Sequence, residues 1–465
     1  MMTNSPEAPT VKIPQPLANL IVEYAQEKAH VPQCAFPPIT SVRGLASEFP
    51  NVRGTVEVTS TGNAQVTIDV FVPFGHKIEE GLVQFELEDV SNLFAQFAHV
   101  TGRYMSRLDS HTDIRLTHWH WATDQVPIAW VGILHGVDFE SSNLILRRGN
   151  NSSDNSMRLQ GNAVWHLLRK GLFGKRTCLV VVTTEAHDFQ DSLIWDDLSA
   201  LEFVFGAALR LDVLVGVNEF NMPVAAFGPS FGYRFRPETA NYPPIPYDQE
   251  HAWIAVAFPR LVKVLAEKEP NPVGTAICGY ADTTIGHIEG QYLFAQVLLE
   301  AVAYQLTTDP RPLVRDVAKW ESWAKTVRDK LKEHAVQNDD RALNTLAKKL
   351  NELCRPTTSS LVQQTLNRMG LEPPNEALDE IDGRNQVAHT MSMSSDEPRD
   401  LEKDLRRIRI IRALLASLAL RHIGYEGALA DWDRDDSNWP ETAEWFTISD
   451  SARDESLIVH EADAS

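Results

Sequence analysis

The run PRDLEKDLRRIRIIRALLASLALRH, residues 398–422, carries the strongest structural signal in the chain. Its apolar residues recur every three or four positions, which predicts one long helix with a broad apolar face. Basic residues fall on the opposite side of that helix. Three of them are candidate substrate-binding residues, because their cationic groups suit an anionic partner: Lys403, Arg406 and Arg407.

The sequence before this run predicts further helices, beginning near residue 283. The clearest is Ile288–Leu306, whose apolar residues keep helical spacing and which also carries Glu300. A series of helices without intervening strands favours a helical bundle. The other predicted helices cover residues 314–335, 340–354, 358–369 and 377–389.

The first half of the chain has the patterns of β-strands instead. Residues 55–59 and 65–72 alternate apolar and polar side chains around a Thr-Gly-Asn-Ala turn, which predicts a hairpin. Residues 177–183 form a continuous apolar run, typical of a strand buried on both faces, and residues 196–211 have helical spacing. Additional strands are expected at 82–87, 114–121, 128–134 and 211–217.

These patterns predict an α+β multidomain fold, because a chain of 465 residues exceeds what one core usually holds. We expect a β-rich, α/β domain with a sensing or regulatory role at 1–280, an all-α bundle at 281–430 and an acidic tail at 431–465. No apolar stretch approaches the roughly 20 residues needed to span a bilayer, and the N-terminus does not resemble a signal peptide. The four cysteines show no CxxC spacing. The expectation is therefore a cytoplasmic protein with no membrane partner, no metal and no other cofactor.

Charge narrows the classes of partner. The formal net charge of −20 argues against a general nucleic-acid binder, so DNA is not an expected partner. The charge is uneven, since residues 431–465 hold eleven acidic residues and two arginines. We expect this tail to restrain an activity on phosphate-bearing substrates, because it would repel them at low salt.

The segment DGRNQVAH, residues 382–389, brings together three side chains with complementary chemistry. His389 can take or give a proton near neutral pH. Arg384 stays cationic and presents planar donors that suit phosphate oxygens. Asn385 can orient a hydroxyl group or the imidazole ring. These three are the candidate catalytic residues.

This arrangement resembles the HEPN superfamily, whose ribonucleases carry an arginine, a following polar residue and a histidine four to six positions later. The resemblance covers roughly residues 285–427, includes Leu299-Glu300-Ala301 and the LRHIGYEG ending at 420–427, and looks like the helical domains of ApeA-type anti-phage proteins. It implies a metal-independent endoribonuclease whose composite site needs a homodimer or higher homo-oligomer, with Glu300 as a candidate supporting acid. It also implies RNA as substrate, with tRNA a candidate, a phage-derived activator, and growth arrest by abortive infection.

Two other hypotheses stay open. A HEPN bundle without catalysis would only dimerise and bind a partner that the N-terminal domain recognises. An enzyme of another kind could use His118 and His120, which share one face of a predicted strand and could hold a metal, or His187, which follows a buried strand. Arginine and histidine also occur at similar spacing in Arg115–His120, within a predicted strand, and in Arg328–His334, within a highly charged helix.

Overall fold

The structure of the chain is a computed structural model. It describes residues 15–25, 31, 33, 36, 38–43, 49–58, 64–69, 83–88, 91–104, 110–137, 146–148, 151–153, 156–169, 176–184, 191–228, 242–245, 251–267, 271–307, 316–338, 341–350, 356–371, 373, 375–382, 400–427, 429–431 and 441–442.

The chain divides into two compact units, residues 1–269 and residues 270–465. Strands dominate the first unit and helices the second, so the predicted α+β arrangement is confirmed at this level. The sequence placed the boundary at 280/281, about ten residues later. The difference is the helix Pro272–Tyr280, which packs on helices of the second unit and therefore belongs to it.

The first unit is built on a large antiparallel sheet with the strand order β10-β11-β12-β7-β14-β15-β6-β3-β2-β1-β4-β5, and β13 pairs with β7. A separate two-stranded hairpin consists of β8 and β9. The strands are β1 (Ile39–Arg43), β2 (Phe49–Val58), β3 (Ala64–Ile68), β4 (Val83–Leu87), β5 (Asn92–Tyr104), β6 (Ser110–Ala122), β7 (Ala129–His135), β8 (Leu146–Arg148), β9 (Asn151–Ser153), β10 (Ser156–Gln160), β11 (Val164–Arg169), β12 (Thr177–Thr183), β13 (Arg210–Leu211), β14 (Leu214–Val217) and β15 (Pro223–Gly228).

Strands β1 to β6 close on themselves, because β5 pairs with β6 along its whole length while β6 also pairs with β3. Their inward side chains form one apolar core, which includes Val66, Phe85, Ile114 and Trp119. β2 and β3 are antiparallel neighbours, and the alternating burial along β3 is what period-2 patterning requires. The predicted pairing of these two strands is therefore confirmed, while residues 59–63 at the predicted turn and 70–72 of the second strand lie outside the described residues.

The remaining part of the sheet carries helices on both faces. α1 (Gln15–Ala25) packs on the face that presents Val131 and Val181. α2 (Asp191–Phe205) lies on the other face, where Trp165 Nε1 donates to the Asp197 carboxylate at 2.8 Å. A third helix, α3 (His251–Leu265), packs on α2 and β10. β12 is buried throughout its interior, as the sequence predicted.

The predicted helix at 196–211 is wrong at its C-terminal end. α2 stops at Phe205, and Arg210–Leu211 forms β13 instead. The reason is Gly206, which has a φ of +62°, a conformation that glycine adopts without strain. The Gly206 amide donates to the Phe203 carbonyl and the Ala207 amide to the Glu202 carbonyl. This pair of bonds is a Schellman motif, which closes the helix before the apolar pattern ends.

The second unit consists mainly of helices arranged around α5. α5 packs on α4, α8 and α10, and α9 packs on α8 and α10. No helix in the described part of the chain is both long and apolar enough to cross a lipid bilayer. The elements are α4 (Pro272–Tyr280), a 3₁₀ turn (Ala281–Thr284), α5 (Ile288–Leu306), α6 (Val317–Asn338), α7 (Arg341–Lys349), α8 (Thr358–Arg368), α9 (Asn375–Asp382), α10 (Leu401–His422), β16 (Ala430–Asp431) and β17 (Glu441–Thr442).

Candidate functional site

The candidate catalytic residues Arg384, Asn385 and His389 lie outside the described residues. The structure does describe the two helices that flank them in the chain. α9 ends at Asp382, and α10 begins at Leu401. The surroundings of these two helix ends are therefore the part of the candidate site for which geometry can be given.

Two side chains of α5 hold the last turn of α9. Tyr292 donates its hydroxyl hydrogen to the carbonyl oxygen of Glu380. Gln296 donates from Nε2 to the same carbonyl at 3.2 Å and to the Tyr292 oxygen at 3.1 Å. Carbonyls in the last turn of a helix lack an intrahelical donor, so α5 supplies bonds that α9 cannot form by itself. The point from which the chain continues to Arg384 is thereby attached to α5.

Arg407 joins this cluster from α10. Its Nε donates to Glu380 Oε2, and its guanidinium carbon lies 5.3 Å from the centre of the Tyr292 ring, within cation–π range. Burial lowers the pKa of Arg407, but the hydrogen bond and charge of Glu380 outweigh burial and raise it. Burial raises the pKa of Tyr292, with Arg407 opposing that shift. We call Tyr292, Gln296, Glu380 and Arg407 the α9 anchor.

The structure separates the three candidate substrate-binding residues. Lys403 and Arg406 are exposed. The side chain of Arg407 is only 12 % exposed and is paired with Glu380. Arg407 differs from the other two in exposure because α9 packs over this part of α10. Its binding of substrate stays an untested prediction, and the geometry gives it a structural role.

Glu300, the candidate supporting acid, lies on α5 one helical turn after Gln296 of the α9 anchor. Its Oε1 accepts a hydrogen bond from Thr358 Oγ1 at 3.2 Å. Thr358 is the first residue of α8, so the Glu300 carboxylate lies at a helix N-terminus, which favours negative charge. Eight residues of helix separate it from Tyr292, about 12 Å along the axis. The contacts of Glu300 therefore stabilise α8.

The outer face of α5 carries an apolar stripe with no covering element among the described residues. Its members are exposed and follow each other at intervals of four and three residues: Gly290, Phe294, Val297, Ala301 and Tyr304. The exposed fractions of the three large side chains are 38 % for Phe294, 46 % for Val297 and 71 % for Tyr304. This spacing is that of a helix–helix seam. We call these five residues the α5 stripe.

The described residues do not form a metal site for the alternative hypothesis of an enzyme that uses His118, His120 or His187. His120 lies on β6 with its ring centre 6.2 Å from that of Trp130, and burial lowers its pKa. The side chain of His118 and the whole of His187 lie outside the described residues. Within the described part of the chain, no three His, Cys, Asp or Glu residues converge as metal ligands would.

Sequence reasoning missed the members of the α9 anchor other than Arg407. The available signal was a pair of polar groups, Tyr292 and Gln296, four positions apart within the apolar run of α5. Residues at that spacing share one helix face. Gln296 is completely buried, and a buried amide needs hydrogen-bond partners, but the sequence does not show that Glu380 provides them.

Comparison of the chain with protein-family models, with curated proteins and with solved structures found no match.

Proposed function

We propose that the protein is a metal-independent endoribonuclease of the HEPN type, with Arg384, Asn385 and His389 as its catalytic residues. The observation that carries the proposal is the α9 anchor, which attaches the chain to α5 three residues before Gly383. Catalytic groups must be held in position by supporting interactions. A helix end fixed by three side chains is suited to deliver the segment that follows it.

The proposed reaction begins with the 2′-hydroxyl of one nucleotide. Its oxygen attacks the adjacent phosphorus, a base removes its proton, and the bond from phosphorus to the 5′-oxygen breaks as an acid protonates that oxygen. The products are a 2′,3′-cyclic phosphate and a 5′-hydroxyl end. His389 supplies acid–base catalysis, Arg384 stabilises the charge on the phosphoryl oxygens, and Asn385 orients the 2′-hydroxyl.

One chain has a single His389, whereas the reaction uses both a base and an acid. A homodimer solves this by contributing one histidine from each copy. The α5 stripe supports this part of the proposal, because exposed apolar residues at helix-seam spacing suit a second helix. Tyr292 and Gln296 lie on the buried side of the same helix, so pairing along the stripe would leave the α9 anchor packed inside each bundle.

The biological setting rests on the resemblance to ApeA-type proteins. It comprises RNA cleavage as an anti-phage defence, with tRNA as the first candidate substrate and a phage-derived signal as activator. The rival hypothesis is a non-catalytic bundle that dimerises through the same stripe. The α5 stripe fits both hypotheses, so catalysis must be measured.

The test compares RNA cleavage by purified wild type, Arg384→Ala and His389→Ala in a chelator. We expect each substitution to lower the rate by roughly 100-fold or more, the usual size of acid–base and charge-stabilisation effects. Arg328→Ala on α6 and His287→Ala before α5 are matched controls that should leave the rate unchanged. Equal activity, or equal inactivity, of all five proteins would favour the non-catalytic rival.

A further inference from the structure

α6 is far more exposed than a 22-residue helix of a folded domain usually is. Ala324 is its only buried side chain among the described ones, and its main packing partner is α7. Trp323 nevertheless places 51 % of its surface in solvent. Tryptophan is costly to expose, because it has a large apolar surface. An exposed tryptophan on an exposed helix therefore calls for a partner.

Trp323 lies between two lysines on one face of α6. Positions four, seven and eleven residues apart share a helix face, which groups Lys319, Trp323, Thr326 and Lys330. Glu333, three residues after Lys330, lies at the C-terminal end of this face, whereas Glu321 and Asp329 lie at other angles around the helix. The two lysines lie about 16 Å apart along the axis, on either side of the indole ring. We call these four residues the α6 stripe.

Within the described residues, the side chains of the two lysines of the α6 stripe form no ion pair. Both Lys319 and Lys330 are exposed. Trp323 has one aromatic neighbour, Trp320, whose ring centre lies 4.9 Å away. One ring face can therefore be packed on the helix while the exposed surface takes up another planar group.

Charge complementarity selects the kind of partner. α6 holds five basic and three acidic residues, in a chain whose formal net charge is −20. A solvent-exposed basic helix in an acidic protein suits a polyanion. A cation, an exposed aromatic ring and a second cation in one line match a single strand of nucleic acid, whose phosphates contact lysines and whose bases stack on aromatic rings.

We infer that the α6 stripe is a binding site for single-stranded RNA, in which a base stacks on Trp323 and phosphates contact Lys319 and Lys330. The choice of RNA over another polynucleotide rests on the proposed function. The binding chemistry itself depends only on α6. A paired duplex cannot offer an internal base face to Trp323, so the site prefers unpaired RNA.

The experiment measures binding of a short fluorescein-labelled oligouridylate by anisotropy, in the full-length His389→Ala background so that no cleavage occurs. Trp323→Ala should weaken binding roughly 5- to 150-fold, the effect of losing one stacked base. Lys319→Ala with Lys330→Ala should lower the slope of log K against log salt by about 1.4, because each lost phosphate contact on a single strand contributes about 0.7. Thermal melting confirms that the variants fold.

The matched control is Lys325→Ala with Lys332→Ala. These lysines are also exposed on α6 but lie at other angles around the helix, so the same charge is removed from outside the stripe. Affinity and salt slope should stay close to those of the parent. Equal losses from both pairs, or none from either, would overturn the proposal. Binding lost only in the stripe variants, together with a wild type in which His389 is intact and which cleaves no RNA, would refute the proposed ribonuclease and leave the binding site standing.

Discussion

The α9 anchor contains two hydrogen bonds to one carbonyl oxygen, so we predict that either bond partly compensates for loss of the other. The Glu380 carbonyl accepts from two α5 side chains, Tyr292 and Gln296. Tyr292→Phe removes one donor and leaves the other, so it should destabilise the helical unit by about 1 kcal/mol, the usual net value of one hydrogen bond. Gln296→Leu keeps the volume and removes the second donor. It should cost a similar amount, about 1 kcal/mol.

The double variant should cost more than the sum of its parts. Only there does the Glu380 carbonyl lose both of these donors, and an unsatisfied buried acceptor costs about 1–3 kcal/mol. We expect the excess to be roughly 1 kcal/mol, the size of coupling between groups that share a partner. Urea unfolding followed by far-UV circular dichroism gives the free energies. Tyr304→Phe is the matched control, because Tyr304 is an exposed tyrosine on the same helix.

The same series links the anchor to function. If α9 positions Arg384, the double variant should cleave RNA on the order of 10- to 100-fold more slowly, because small misplacements of catalytic groups are costly. The reasoning about redundancy is refuted if the double variant costs no more than the sum of the two single variants. The link to function fails if stability drops while the cleavage rate of the folded protein does not change.

Three further predictions concern other parts of the chain. Burial raises the pKa of Asp197 to about 6 from 3.8, so the folded state favours the protonated carboxyl group. This contribution to the free energy of unfolding is complete below about pH 4 and is lost as the pH rises through 6. The stability of wild type relative to Asp197→Asn should therefore fall by about 3 kcal/mol over this range, and parallel pH profiles of the melting temperatures would contradict it. In sedimentation velocity, Val297→Glu should convert the proposed dimer to monomers, whereas Ser322→Glu on α6 should not. The same oligomeric state for wild type and Val297→Glu would remove the α5 stripe from the account. Deletion of residues 431–465 should raise RNA cleavage at low salt and have little effect at high salt, and lower activity at low salt would contradict an inhibitory tail.

Local patterns were sufficient for elements whose packing follows from their own sequence. α5 begins and ends where its apolar spacing predicts, and β12 lies where the continuous apolar run does. α10 likewise follows the apolar face of 398–422. In each of these elements, burial is determined by a periodicity that the segment itself carries.

Pairings between distant segments could not be predicted in this way. The closure of β5 on β6 depends on which strand edges meet, and the contact of β15 with β6 joins residues about a hundred positions apart. The bond from Tyr292 to the Glu380 carbonyl spans 88 residues. A sequence shows that a buried polar group needs a partner, but the partner follows only from the three-dimensional arrangement.

The burial of Arg407 shows the same limit at one residue. The apolar pattern of α10 assigns this arginine correctly to the side away from the main apolar face. It does not show that α9 packs over that side and brings Glu380 to the guanidinium. The pattern of one helix does not determine how exposed this side chain is, because a second helix covers it.

The most direct test of the central claim is cleavage of matched RNA oligonucleotides that differ at one nucleotide, with 2′-hydroxyl or 2′-deoxy at the cleaved position, in a chelator. Attack by the 2′-hydroxyl predicts that the unmodified RNA gives a 2′,3′-cyclic phosphate and a 5′-hydroxyl end, and that the 2′-deoxy oligonucleotide stays intact at that position. Mass spectrometry identifies both ends. Cleavage of the 2′-deoxy oligonucleotide at the same position, or cleavage that stops when divalent metal is removed, would contradict a metal-independent ribonuclease built on Arg384 and His389.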